Sequence, residues 1–132
     1  MPVTDPIADM LTCIRNALTA QHRRLEIPAS RVKGDIADIL VREKFIRGVK
    51  RIEHETQGKL RIYLKYSDEG RPSIQGIQRI SKPGRRVYVG HDEIPLVLRG
   101  MGTALVSTSE GILTGKEARS RGIGGELLAK IW

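Results

Sequence analysis

The sequence predicts an α+β protein of two small domains: an N-terminal αβαββ domain over residues 1–66 and a C-terminal, mostly β domain with one short helix over residues 73–132. Three observations lead there. Helical and strand periodicities alternate in the first half of the chain, whereas short apolar runs separated by turn residues dominate the second. Between them, Ser67-Asp68-Glu69-Gly70-Arg71-Pro72 has no apolar residue and two backbone breakers, so residues 67–72 read as a linker. The length of 132 residues suffices for one or two modest cores and is too short for a large multi-domain enzyme.

The first helix is expected from about Asp5 to Leu18. Asp5 can cap it, Pro6 takes the first helical position and Asp9 lies near the positive end of the dipole. Ile7, Met10, Leu11, Ile14 and Leu18 fall on one stripe, with Asn16 opposite and Arg15 on the flank. Arg24-Leu25-Glu26-Ile27-Pro28 alternates polar and apolar like a half-buried strand that a proline ends. Ser30 then caps a second helix reaching about Lys44, with Val32, Ile36, Ile39 and Leu40 at helical spacing. Phe45 to Glu53 and Lys59 to Tyr66 read as strands joined through Thr56-Gln57-Gly58, with Leu60, Ile62 and Leu64 lining one face.

In the second half, Ile74 to Ser81 and Arg85 to Val89 read as a hairpin around Lys82-Pro83-Gly84, where proline presets one dihedral and glycine accepts a positive one. Residues 92–98 suit a short helix or turn limited by Pro95, and Gly102 to Ser107 a strand through Ala104, Leu105 and Val106. Thr114 and Glu117 form a capping box for a short helix that Gly122 ends, and Glu126 to Trp132 supplies the last strand.

Charge narrows the function. The chain carries 23 Lys and Arg against 15 Asp and Glu, a formal +8, which points to a polyanionic partner. Both halves are basic, and residues 71–90 contain Arg71, Arg79, Lys82, Arg85 and Arg86 with no acid. No apolar stretch approaches the roughly 18 residues of a membrane span and no signal pattern opens the chain, so a cytoplasmic protein without a membrane partner is expected. A single cysteine, Cys13, excludes an internal disulfide, and three scattered histidines with no paired spacing argue against a metal site. Gly111 to Lys116 lacks the spacing of a phosphate loop, Gly122 to Leu127 lacks a dinucleotide fingerprint, and Ser107 stands where a nucleophile elbow needs glycine. No enzyme and no cofactor are expected. Five aromatics are too few for a surface that works mainly by stacking unpaired bases, so a duplex-reading surface fits better.

The cluster Ser107-Thr108-Ser109-Glu110-Gly111 suits that task. Small hydroxyls both donate and accept, so they fit a shallow RNA minor groove. On an extended segment Ser107 and Ser109 project to one side and Thr108 to the other, while Gly111 admits close backbone approach. A hydrogen-bonded turn is the alternative reading.

Several blocks together carry a family resemblance: Asp5-Pro6-Ile7-Ala8-Asp9-Met10-Leu11-Thr12, Arg15-Asn16, Ser81-Lys82-Pro83-Gly84, Ser107-Thr108-Ser109-x-Gly111, Glu117-Ala118-Arg119 and Gly122-x-Gly124-Gly125-Glu126. In this order, over nearly the whole chain, they resemble the bacterial small-subunit ribosomal protein eight family. The resemblance implies the same two-domain fold and a primary binder of the 16S rRNA central domain that aids subunit assembly in the cytoplasmic ribosome beside neighbouring small-subunit proteins. It extends to repression of ribosomal-protein mRNA through a mimic of the rRNA site. The family's main RNA surface maps onto Tyr88, Ser107, Thr108, Ser109, Gly111, Gly122, Gly124, Gly125 and Glu126, and a second RNA contact onto Thr4, Asp5, Arg15, Asn16 and Lys33. The chain departs from the family at Cys13, where an arginine is common, at Gly115, where an aspartate often begins the short helix, and at Ala129-Lys130. Combined with the charge pattern, this predicts that Arg79, Lys82, Arg85 and Arg86 neutralise phosphates while Ser107, Thr108, Ser109 and backbone near Gly124 read helix shape. Glu126 is expected to accept hydrogen bonds or to position its neighbours.

Overall fold

The computed structural model describes residues 5–53 and 57–132. Its contacts divide the chain into two units, Pro6–Gln75 and Gly76–Trp132 with Asp5. The segment expected to be a linker therefore folds with the first unit: the Ser67 amide donates to the Arg71 carbonyl, and Tyr66 bridges Pro72. Turn residues without apolar partners still satisfy their backbone locally, which closes the segment on itself.

In the first unit α1 (Pro6–Thr19), β1 (Arg24–Pro28), α2 (Arg31–Arg42), β2 (Ile46–Ile52) and β3 (Lys59–Leu64) form an antiparallel sheet of order β1-β3-β2 with two helices. The stripe of α1 buries Met10, Leu11, Ile14 and Leu18, and the Ser30 side chain caps α2 by accepting from the Lys33 amide. Leu60, Ile62 and Leu64 are buried along one face of β3. Val32, expected in the core, is 43% exposed although it shares the stripe of Ile36, Ile39 and Leu40, because it stands in the first turn at the end of α2. Thr56 of the expected β2–β3 turn lies outside the described residues.

The second unit centres on β8 (Gly125–Ile131). One edge pairs with β6 (Thr103–Thr108), which continues into β7 (Gly111–Thr114); the other pairs with both β4 (Ile77–Arg79) and β5 (Tyr88–Val89). The expected hairpin thus does not form a ladder. Lys82 and Arg85 close a tight turn on each other, and Gly84 keeps out of the positive-φ region. The flanking strands pair with β8 instead of one another because that strand offers a longer continuous edge. Strand β7 is an element that the sequence reading did not include. Helix α3 (Gly115–Arg121) has the reciprocal capping box of Thr114 and Glu117, and Gly122 ends it at φ 67°. One face of the sheet buries Ala104, Val106 and Leu127 with Ile94, Val97 and Ala118.

Candidate nucleic-acid interface

Antiparallel register places paired residues on the same face of a sheet. Tyr88 pairs with Glu126, and Glu126 pairs with Ser107, so these three stand in a row across β5, β8 and β6. The neighbouring positions Val106 and Leu127 turn into the core, which leaves the row on the opposite face. Tyr88 is 70% exposed, Ser107 half-buried.

Glu126 is fixed from beneath. It accepts a hydrogen bond from the hydroxyl of Ser81, a fully buried side chain whose oxygen in turn accepts from the Val87 amide at 3.1 Å. Arg86 donates to the same carboxylate oxygen at 2.9 Å. Burial works against the charged carboxylate, but the Ser81 hydroxyl and the Arg86 guanidinium outweigh it and hold its pKa below the usual glutamate value. Glu126 therefore accepts hydrogen bonds from within the protein, from Ser81 and Arg86. In the sequence Ser81 stands only at the end of an expected strand and in a family block; its burial beside a carboxylate comes from the non-local β8 pairing and has no local signal.

The hydroxyl cluster divides. Strand β6 ends at Thr108, and Ser109-Glu110 is a two-residue turn into β7, with Gly111 at φ 101°. Thr108 is the turn's internal fastener: its hydroxyl donates to the Gly111 carbonyl at 2.7 Å and accepts from the Glu110 amide. Ser109 sits exposed at the tip and does not follow the alternation of an extended segment. Among the described residues the hydroxyls of Ser107 and Ser109 have no protein partner, so both are open to a ligand.

The glycines have internal causes. A Cβ at Gly125 would lie 2.1 Å from the Ser107 carbonyl oxygen, and one at Gly124 would lie 2.3 Å from that of Val89, so only glycine lets β5, β6 and β8 approach beside Glu126. Gly122 supplies the left-handed cap of α3. Gly124 and Gly125 shape the row from inside the protein, whereas Gly111 and Gly122 have open space where a side chain would be and are set by their positive φ.

The basic residues separate equally clearly. Arg79 was expected to neutralise phosphate, but its side chain is only 10% exposed, forms a fork with the Asp5 carboxylate at 3.2 Å and donates to the Leu128 carbonyl at 2.6 Å. Its place on a paired strand makes it a structural cation, with Asp5 as its anionic partner. Lys82, Arg85 and Arg86 lie exposed on the turn beside the row. Of the remaining N-terminal candidates, Arg15 and Asn16 are exposed on α1, while Lys33 lies on α2 with its amine donating to the Pro28 carbonyl at 3.0 Å. The structure brings no common site out of them, and Thr4 lies outside the described residues.

Comparison with known proteins decides the family. A profile described as ribosomal protein S8 matches residues 5–132. The chain belongs to the ribosomal protein S8 family. Proteins named small ribosomal subunit protein uS8 from Macrococcus caseolyticus, Streptococcus agalactiae and Geobacillus kaustophilus are each 58% identical to it over 132 residues, covering all of both chains. As an S8-family member the chain is a ribosomal protein and not an enzyme. The departure at Cys13 falls on an exposed position of α1, and that at Gly115 falls in a buried one, where a Cβ would meet Ile94 at 2.9 Å.

Proposed function

We propose that this S8-family chain is a structural constituent of the small ribosomal subunit that binds the central domain of 16S rRNA through the row Tyr88, Glu126 and Ser107, extended by Ser109. In this reading Ser107 and Ser109 exchange hydrogen bonds with 2′-hydroxyls and base edges, Tyr88 packs against a sugar or base, and Lys82, Arg85 and Arg86 meet phosphates. The observation that supports it most is the row itself, in which open hydroxyls stand beside a carboxylate immobilised by Ser81 and Arg86. A rigid set of donors and acceptors discriminates shapes that a mobile set would accept alike. Bound there, the protein aids assembly in the cytoplasmic ribosome beside other small-subunit proteins, and a ribosomal-protein messenger with the same local shape would be repressed through the same surface.

Footprinting on intact 16S rRNA tests the reading, with Ser107→Ala/Ser109→Ala as the decisive variant. Wild-type protein is expected to protect a helical tract of the central domain. The variant, unchanged in thermal stability, should lose roughly 1 to 3 kcal/mol of specific binding. Equal discrimination between cognate and scrambled RNA in both proteins would refute it.

A further inference from the structure

The first unit carries a cleft that the RNA surface above does not use. β3 places Tyr63 opposite Arg24 of β1 and opposite Gly48 of β2, and a bulge between Ile46 and Gly48 leaves Arg47 as the extra residue beside them. Together with the α1–β1 turn these residues enclose a cleft of about 730 Å³ whose walls include Arg23, Arg24, Arg47, Tyr63 and Tyr66. The Tyr66 hydroxyl donates to the His22 carbonyl at 2.5 Å and pins the turn that delivers the two adjacent arginines. Among the described residues Arg23, Arg24 and Arg47 have no carboxylate partner, and Asp68 is the one acid in the lining. Elsewhere on the same sheet the usual arrangement holds, with Arg61 paired to Glu26 and Arg51 to Asp38.

Three unpaired guanidinium groups around a concavity repel one another and hold forked donors outward, which is the arrangement that a phosphate chain relieves. The volume lies within the roughly 300 to 1,000 Å³ of typical ligand sites and accommodates a nucleotide. Tyr63 adds a ring on which a base can stack. An acidic protein surface would use the arginines but leave the aromatic wall idle, so RNA is the better match.

We propose that this cleft binds the sugar–phosphate backbone of an rRNA segment separate from the one met by the Tyr88–Glu126–Ser107 row, with a base against Tyr63. The site differs from the N-terminal set read from sequence, since Arg15, Asn16 and Lys33 do not line it. It rests on the RNA-binding reading above.

The test uses full-length protein and intact 16S rRNA. Hydroxyl-radical footprints and salt-dependent filter binding are compared for wild type, Arg23→Gln/Arg24→Gln/Arg47→Gln and the single charge reversal Arg47→Glu. All three arginines are exposed, so the melting temperature should not move. In the triple variant one protected tract should vanish while the tract sensitive to Ser107→Ala/Ser109→Ala persists. Affinity should fall about tenfold or more, and the slope of log affinity against log salt should flatten by roughly 2 to 3. Arg47→Glu should weaken the same tract. Unchanged footprint and slope in the triple variant would overturn the proposal. So would retained RNA protection combined with lost retention of another ribosomal protein in reconstituted subunits, which would assign the cleft to an acidic protein surface. Absence of any 16S protection by wild type would refute the proposed function as well, a result distinct from equal protection by wild type and variant.

Discussion

Replacing Glu126 by alanine should destabilise the protein by about 3 kcal/mol, although the residue stands on the face expected to meet RNA. The magnitude follows from its two partners. Ser81 is fully buried, and its hydroxyl donates to Glu126 while accepting from the Val87 amide. Without the carboxylate that donor is stranded away from water, at a cost of about 2 to 3 kcal/mol for a charge-assisted bond. Arg86 adds under about 1 kcal/mol, because its side chain is 49% exposed and its ion pair is screened. With a urea dependence of about 2 kcal/mol per molar, the unfolding midpoint should drop by roughly 1.5 M. Arg86→Ala should shift it far less, and Glu126→Gln, which still accepts from Ser81, should fall between them. A double-mutant cycle of Glu126→Ala with Ser81→Ala should show coupling of about 1 to 2 kcal/mol. For RNA, loss of the carboxylate raises net charge by one unit, so weak binding to unrelated RNA at low salt should tighten while preference for the cognate site falls. An unfolding midpoint within about 0.3 M of wild type, or an equal effect from Arg86→Ala, would refute the argument that Ser81 carries the energy.

Gly125→Ala should destabilise by about 3 kcal/mol or more, since its Cβ would meet the Ser107 backbone and not a flexible side chain; a denaturation curve superposable on wild type would contradict this. Stability should also fall in acid. The folded-state pKa of Glu126 lies below its ordinary value near 4.5, so its contribution is present above that value and is lost as pH falls through the folded one. Acid titration of Glu126→Gln, followed by circular dichroism, should lack that share of the loss.

Local signals were legible and pairing was not. Ser30, the Thr114–Glu117 box and Gly122 fix helix ends through bonds within a few residues, Pro6 does so through its fixed φ, and those ends stand where the spacing placed them. Lys82-Pro83-Gly84 is an equally good local turn signal, and the turn exists, yet its flanks pair with a strand that lies far along the chain, Tyr88 with Glu126 and Ile77 with Ile131. The same non-locality hid β7, whose four residues lie between a turn and a cap. In the candidate site, Ser107, Glu126 and Tyr88 could be named from the family resemblance, but their alignment in one row depends on register. Arg79 and Arg86 are indistinguishable by charge; only strand pairing buries one and exposes the other.

That distinction bears on how the formal +8 acts. Arg79 is engaged by Asp5 and the Leu128 carbonyl, so removing it strips a nearly buried carboxylate of its guanidinium and should cost about 3 to 5 kcal/mol of stability. It should leave the salt slope of RNA binding unchanged, because no phosphate replaces an internal partner. Lys82 and Arg85 carry no carboxylate partner among the described residues, so Lys82→Ala/Arg85→Ala should do the reverse: stability within about 0.5 kcal/mol of wild type and a slope flatter by roughly 2. Lys82, Arg85 and Arg86 beside the row and three arginines in the N-terminal cleft would neutralise about six phosphates, giving a total slope of roughly −5 on the B-DNA coefficient. If Arg79→Ala flattened the slope as much as the loop variant, while both proteins stayed folded, the structural assignment of Arg79 would be wrong and the phosphate count would have to be rebuilt around β4.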